Sequence, residues 1–186
     1  MNCAVEEYKL TANYDVDFTA YAPLHTFKGW TRQGVDVRMG INFDAGTISY
    51  ARASAQTCCF DNGFDDRNRA MSDYMQIEKY PESIIELTQI KALTRLDIRF
   101  QIDALAVLEF MGQRRQLPVS FFITRNNSEF SIDLDFKWSF KAYDLKAPRL
   151  LFLTVRDIVD ISGKCNFLTI KSVCYINFKD KVFSSR

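Results

Sequence analysis

The sequence predicts an all-β fold interrupted by one short helix. Apolar residues recur at every second position through most of the chain, the period of a strand with one buried face. Turn signals separate these runs at short, regular intervals, as in a sandwich or a barrel. Only residues 66–81, DRNRAMSDYMQIEKYP, break the pattern. There Met71, Tyr74 and Met75 stand at i, i+3 and i+4, one face of a helix. Pro81 stops that helix and pushes Tyr80 towards an extended conformation.

The runs follow in order. Residues 14–21 place Tyr14, Val16, Phe18 and Ala20 on one face, with Asp15, Asp17 and Thr19 on the other. Pro23 and Gly29 bracket a turn containing His25. Residues 34–43 turn Val35, Val37, Met39, Ile41 and Phe43 one way, and Asp44-Ala45-Gly46 makes a hairpin. Residues 47–56 return with Ile48 and Tyr50 inward. After the turn at Asn62-Gly63 and the helix, residues 82–91 carry Ile85 and Leu87 on one side. Residues 93–110 read as one long strand with Leu96, Ile98, Phe100 and Ile102 alternating and a corner in its second half. Leu117, Val119, Phe121 and Ile123 form the next strand, and Asn126-Asn127 a turn. Phe130, Ile132, Leu134, Phe136 and Trp138 give the cleanest alternation in the chain. Leu151, Leu153, Val155, Val159 and Ile161 close the sheet. Eight to nine strands result, and periodicity alone leaves sandwich and barrel both open.

At 186 residues the chain makes one domain, large enough to bury about 70 % of its surface. Lysine and arginine number 24 against 23 acidic residues, for a net charge of +1 without a charged tail. That balance argues against nucleic acid as a partner. The 16 phenylalanines suit strands, and serve a dry core or an apolar cavity equally well. The N-terminal stretch lacks the apolar run of a secretory leader, and no segment approaches the ~20 apolar residues of a membrane helix. The expectation is a soluble, cytoplasmic protein without stable membrane insertion, or a periplasmic one if a leader has been removed. The five cysteines, Cys3, Cys58, Cys59, Cys165 and Cys174, are odd in number and lack a C-x-x-C spacing, which fits free thiols in a reducing compartment. Adjacent Cys58 and Cys59 are expected on opposite faces of a strand, a poor metal pair.

Arg67-Asn68, Met71, Tyr74, Glu78 and Tyr80-Pro81 resemble the signature of the YceI-like family, lipocalin-like polyisoprenoid-binding proteins. His25-Thr26-Phe27-Lys28-Gly29 resembles the family's early turn, and Ile41-Asn42-Phe43-Asp44 its short apolar strand. GQRRQLPV at 112–119 and LLFLTVRDIVDI at 150–161 resemble two further segments. The resemblance spans about residues 10–167. It implies an eight-stranded antiparallel lipocalin-like barrel with one short helical insertion, formed by residues 1–168. Residues 169–186 then form a C-terminal extension, an edge strand or a tail, which either covers one barrel end or mediates homodimer contacts. A barrel of this size holds one small or elongated apolar ligand.

The candidate lining is the inward stripe Val16, Phe18, Val37, Met39, Phe100, Phe121, Phe136 and Trp138, which equally describes a packed core. Arg67 and Asn68 either meet a polar headgroup at the barrel mouth through charge-assisted hydrogen bonds, or cap the helix and pair with Asp65, Asp66 or Asp73. His25, the one histidine, joins them as a mouth residue or is simply a turn histidine bonded to backbone. Lys79, Arg114, Arg115 and Lys146 form a basic rim or an ordinary solvated surface. Metal-ligand clusters and the motifs of nucleophilic, phosphate-binding and dinucleotide-binding sites are missing, so no catalytic residue, metal or cofactor is expected. The implied partner is a long-chain isoprenoid, a quinone tail or a fatty acyl lipid, carried without chemistry. The competing expectations are an interaction or stress-response module with a solid barrel, and a small-pocket enzyme using His25.

Overall fold

The alternating runs fold as strands, and tight turns fall where the backbone goes left-handed. The computed structural model describes residues 6–126, 129–150 and 153–169. Strands β1 (Glu6–Ala22), β2 (His25–Thr31), β3 (Val35–Asn42) and β4 (Thr47–Gln56) precede helix α1 (Asp65–Met75). Strands β5 (Glu82–Leu96), β6 (Arg99–Phe110), β7 (Gln113–Asn126) and β8 (Glu129–Ser139) follow as a meander. A small separate hairpin, β9 (Arg149–Leu150) and β10 (Leu153–Thr154), leads into β11 (Ile158–Thr169). Met111 and Gly112, with φ of 49° and 72°, form the two-residue turn between β6 and β7, whose twist matches that of the strands it joins.

Among the described residues, nine strands build one antiparallel sheet in the order β11-β8-β7-β6-β5-β4-β3-β1-β2, and β1 pairs with β11 as well. The sheet therefore curls round and meets itself. β1 closes it along both edges. One edge meets β11 from Tyr8↔Thr169 to Ala20↔Val159. The other meets β3 through Glu6–Lys9 and β2 through Val16–Ala22. β2 and β3 keep one register along β1, so together they occupy the place of a single long strand broken at residues 32–34. The count of nine, where eight are expected, comes from that break.

Several local expectations give way. Residues 25–31 are strand β2, and the turn before them is only Pro23-Leu24. Residues 93–110 are not one strand: the chain reverses at Asp97 (φ 57°), Leu96 pairs with Arg99, and Leu96 and Ile98 stand exposed at the tip. In β4, Ile48 packs on the core but Tyr50 is exposed. A bulge pairs Gly40 with Tyr50 and Ile41 with Ile48, which shifts the phase and brings Ala51, Ala53 and Ala55 inward. Leu153 belongs to the small hairpin and not to the closing strand. Leu151, Asn127 and residues 170–186 of the extension lie outside the described residues.

Helix α1 carries Asp65 and Asp66 in its first turn, where the helix dipole favours negative charge. It ends at Gln76 in the left-handed conformation, whose N–H reaches the Ser72 and Asp73 carbonyls, five residues before Pro81. The end of the barrel away from α1 is filled by rings. Phe130 and Phe167 stack with centroids 4.5 Å apart. Phe43 meets Phe130 edge-on at 5.6 Å and Phe100 at 5.9 Å, and the Arg125 guanidinium covers Phe43 from outside at 4.7 Å. Ile102 and Ile123, both fully buried, complete the plug. Phe130→Ala should lower unfolding free energy by about 3–5 kcal/mol, read by urea denaturation as a shifted midpoint with unchanged slope.

Candidate functional site

Above the ring plug the interior is not filled. A cavity of about 530 Å³ runs up to helix α1, within the usual range for ligand pockets. Three inward alanines of β4, Ala51, Ala53 and Ala55, border it together with Ala20 and Gly163 on the β1 and β11 side. Where neighbouring strands supply phenylalanine or leucine, these positions supply almost no side chain, and the missing volume is the cavity. Ile85, Leu87, Leu108, Leu134 and Ile161 line the remaining wall. The exposed members of the lining, Lys28, Ala70 and Arg149, lie at the α1 end, which makes that end the mouth.

Helix α1 lies across the mouth and is anchored from both sides. Met71, Tyr74 and Met75, the apolar stripe of the sequence, turn to the cavity. The Tyr74 hydroxyl donates to the Lys146 carbonyl at 2.8 Å, and its ring meets Phe140 edge-on at 6.1 Å. The loop before the helix is pinned to β2 by paired bonds between Trp30 and Asp61, N to O at 2.7 and 2.8 Å. A Cβ at Gly29 would lie 2.1 Å from the Phe18 ring and 2.7 Å from the Asp61 carbonyl, so the absent side chain lets both the ring and the loop close onto β2.

Of the eight residues proposed as lining, Val16, Phe18, Val37, Met39, Phe121, Phe136 and Trp138 border the cavity. Phe100 does not. Its place in β6 is two residues nearer the closed end than Ile102, and it packs in the ring plug. Among the mouth residues, Arg67 borders the cavity, its guanidinium between Phe64 at 4.4 Å and Phe27 at 5.6 Å. Asn68 faces the loop instead: its Oδ1 accepts from the Asn62 N–H at 2.9 Å and its amide donates to Asp61 Oδ1 at 2.7 Å. His25 is exposed at the start of β2, its ring 4.5 Å from Phe27, and lies outside the lining. The basic rim is largely neutralised. Arg115 pairs with Asp144 at 2.7 Å and Arg114 with Glu109 at 3.5 Å, while Lys79 rests over Tyr80.

Sequence reasoning passed over two features. The alanines of ARASAQ alternate with polar residues, a strand signal that was masked by placing Tyr50 inward. Ser83 shares its face with Ile85 and Leu87 and borders the cavity, and its buried Oγ has no hydrogen-bond partner among the described residues. It is available to a polar atom of a ligand. The Trp138 indole is held edge-on to Phe110 and Phe140. Among the described residues no group of three or more His, Cys, Asp and Glu side chains comes together to hold a metal ion.

Burial sets the ionisation of the neighbouring groups. It pushes the Cys165 thiol, on the cavity wall, up to about 11, which leaves it protonated and unreactive at neutral pH. It also raises the Tyr74 hydroxyl from 10.0 to about 12. The folded state therefore holds the Tyr74 proton more tightly than the unfolded chain does. The stability linked to it is complete below about pH 10 and is lost as pH rises towards 12. Tyr74→Phe should flatten the alkaline fall in stability over that window, measured by denaturation at a series of pH values. The Asp61 carboxyl is held below the usual range by the Gly63 N–H and the Asn68 amide. Asn68→Ala should move its titration back upward in a carbon-13 NMR series.

No family model and no curated protein sequence matches the chain. Solved structures do. A polyisoprenoid-binding domain from Saccharophagus degradans, implicated in plant cell wall breakdown, superposes with a TM-score of 0.69 at 14 % identity, over 90 % of this chain and 100 % of that one. BcnA of Burkholderia cenocepacia gives 0.67 at 14 % identity, over 84 % and 98 %. The Campylobacter jejuni YceI protein gives 0.57 at 11 % identity, over 75 % and 84 %. At such identities the likeness speaks for the fold. The curled antiparallel sheet described above superposes on these structures over most of its length, and the chain folds as a YceI-like barrel.

Proposed function

We propose that this protein binds and carries, or sequesters, a long apolar lipid inside its barrel without chemically changing it. The observation that supports this most strongly is the cavity of about 530 Å³ with apolar walls, a ring-filled floor and a mouth under α1. A solid barrel, as a pure interaction module would have, needs none of that volume. The exposed position of His25, outside the lining, gives the small-pocket enzyme reading no support. The polyisoprenoid-binding domain among the structural neighbours favours an isoprenoid chain, with a quinone tail or fatty acyl chain as the related alternatives.

In this reading the chain end lies deep, against Met39, Ile132 and Phe121, and burial supplies the affinity. About ten buried methylene equivalents contribute on the order of 8 kcal/mol, the scale of a micromolar complex before ordering costs are subtracted. The polar end stays at the mouth. Arg67 makes no ion pair among the described residues and is positioned by two rings, so its N–H groups can meet an oxygen-bearing headgroup. Ser83 Oγ offers a second contact. Uptake of a fluorescent polyprenyl analogue tests the arrangement. Ala53→Trp, which fills the cavity, should abolish uptake while leaving far-ultraviolet circular dichroism unchanged. Arg67→Ala should weaken binding of a phosphorylated or carboxylated analogue by about tenfold and leave binding of the bare hydrocarbon unchanged. Undiminished uptake by a folded Ala53→Trp variant would rule out this cavity as the binding site.

A further inference from the structure

Cys58 and Cys59 lie in a single 3-10 turn, Thr57–Cys59, and not in the strand expected from the sequence. Adjacent side chains of a strand point to opposite faces. Here the turn leaves both sulfurs on one side, with Sγ to Sγ at 3.8 Å. Zinc–thiolate bonds of about 2.3 Å in tetrahedral geometry place two sulfurs about 3.8 Å apart, so the pair already stands at the bite of one chelated ion.

The turn is fixed by bonds that involve no ligand. Thr57, 2 % exposed, donates its N–H to the Pro81 carbonyl at 2.9 Å and its hydroxyl to the Tyr80 carbonyl at 2.8 Å. The Gln56 N–H reaches the Gly34 carbonyl at 2.8 Å. Gly34, at φ +70°, leaves the room that Cys59 occupies, since a Cβ there would sit 2.7 Å from the Cys59 sulfur. Gln56 Oε1 accepts from both thiols, at 4.0 and 3.9 Å. The two cysteines also border a polar cleft of about 310 Å³ on the outside of the barrel, with Trp30, Arg32, Asp61, Asn68 and Ser72, the Arg32 charge being paired with Asp15 at 3.1 Å and Asp17 at 2.6 Å. Among the described residues, only Phe60 is shared between this cleft and the apolar cavity.

We propose that Cys58 and Cys59 together chelate one soft divalent cation of the zinc and cadmium class, with its remaining positions open to the cleft. Thiolates select such ions over the harder cations that oxygen ligands hold. Binding breaks two S–H bonds, forms two metal–sulfur bonds and releases two protons to solvent. Water within the cleft completes the coordination, and no oxidant or reductant takes part. Cys165 faces the apolar cavity and contributes nothing here.

The test is titration of the reduced full-length protein with Cd²⁺, followed by the ultraviolet sulfur-to-cadmium charge-transfer band and by native mass spectrometry. The expected result is one ion per chain. Cys58→Ser and Cys59→Ser should each lose the stoichiometric band, while Cys165→Ser and the double variant Cys3→Ser/Cys174→Ser keep it. A readout that needs no variant is alkylation: one equivalent of Cd²⁺ should protect Cys58 and Cys59 of the unsubstituted protein from iodoacetamide, mapped on peptides. Absence of a band at one equivalent overturns the proposal. So does a band that survives Cys58→Ser/Cys59→Ser, or unchanged alkylation of the two cysteines.

Discussion

Pairing of β1 with β11 turns a curled sheet into a container, and everything else in the molecule follows from how that container is filled. Once the edges meet, every second side chain of eight consecutive strand places must share one interior. At the far end phenylalanines and isoleucines fill it to core density. At the α1 end β4 contributes alanines and β11 a glycine, so the same geometry leaves space. The division between plug and cavity is therefore written in side-chain size along strands whose pattern of alternation is uniform. The plug supplies stability that the open half lacks, and this lets an unfilled volume persist in a folded chain.

The mouth is built from contacts that tie separate segments together. Helix α1 has no side-chain cap at its N-terminus and is short enough to be marginal by itself. Its place is set by the Trp30–Asp61 backbone bridge on one side and by Tyr74, bonded to the Lys146 carbonyl, on the other. Arg67 projects from its first turns into the ledge formed by Phe27 and Phe64. A cation resting on rings at the edge of an apolar cavity keeps its charge at the water boundary, which suits an amphiphile with its chain inside.

Much of the fold was legible because a half-buried strand leaves a period that turns cannot hide. Phe130 to Trp138 and Val35 to Phe43 face as their alternation requires. The errors fall where local chemistry changes the phase. A two-residue reversal at Asp97 carries no glycine or proline to mark it, so Leu96 and Ile98 read as buried. The bulge opposite Gly40 moved the inward face of β4 from Tyr50 to the alanines. For the site, parity told which residues point inward but not at what depth, and depth is what separates Phe100 in the plug from Phe121 on the cavity wall. Asn68 sits one position from Arg67, yet a helix turns it about 100° away, towards Asp61. The proximity of the two sulfurs was hidden for a similar reason: a strand would have parted them, and only the 3-10 turn brings them together.

The proposed function stands on occupancy of the space above the ring plug by an apolar chain. The most direct measurement is organic-solvent extraction of the purified protein, with the extract analysed by mass spectrometry beside a mock purification. The expected result is one isoprenoid or fatty acyl species close to stoichiometric with the chain, absent from the mock. A clean extract from protein that also fails to take up added long-chain isoprenoid would contradict it.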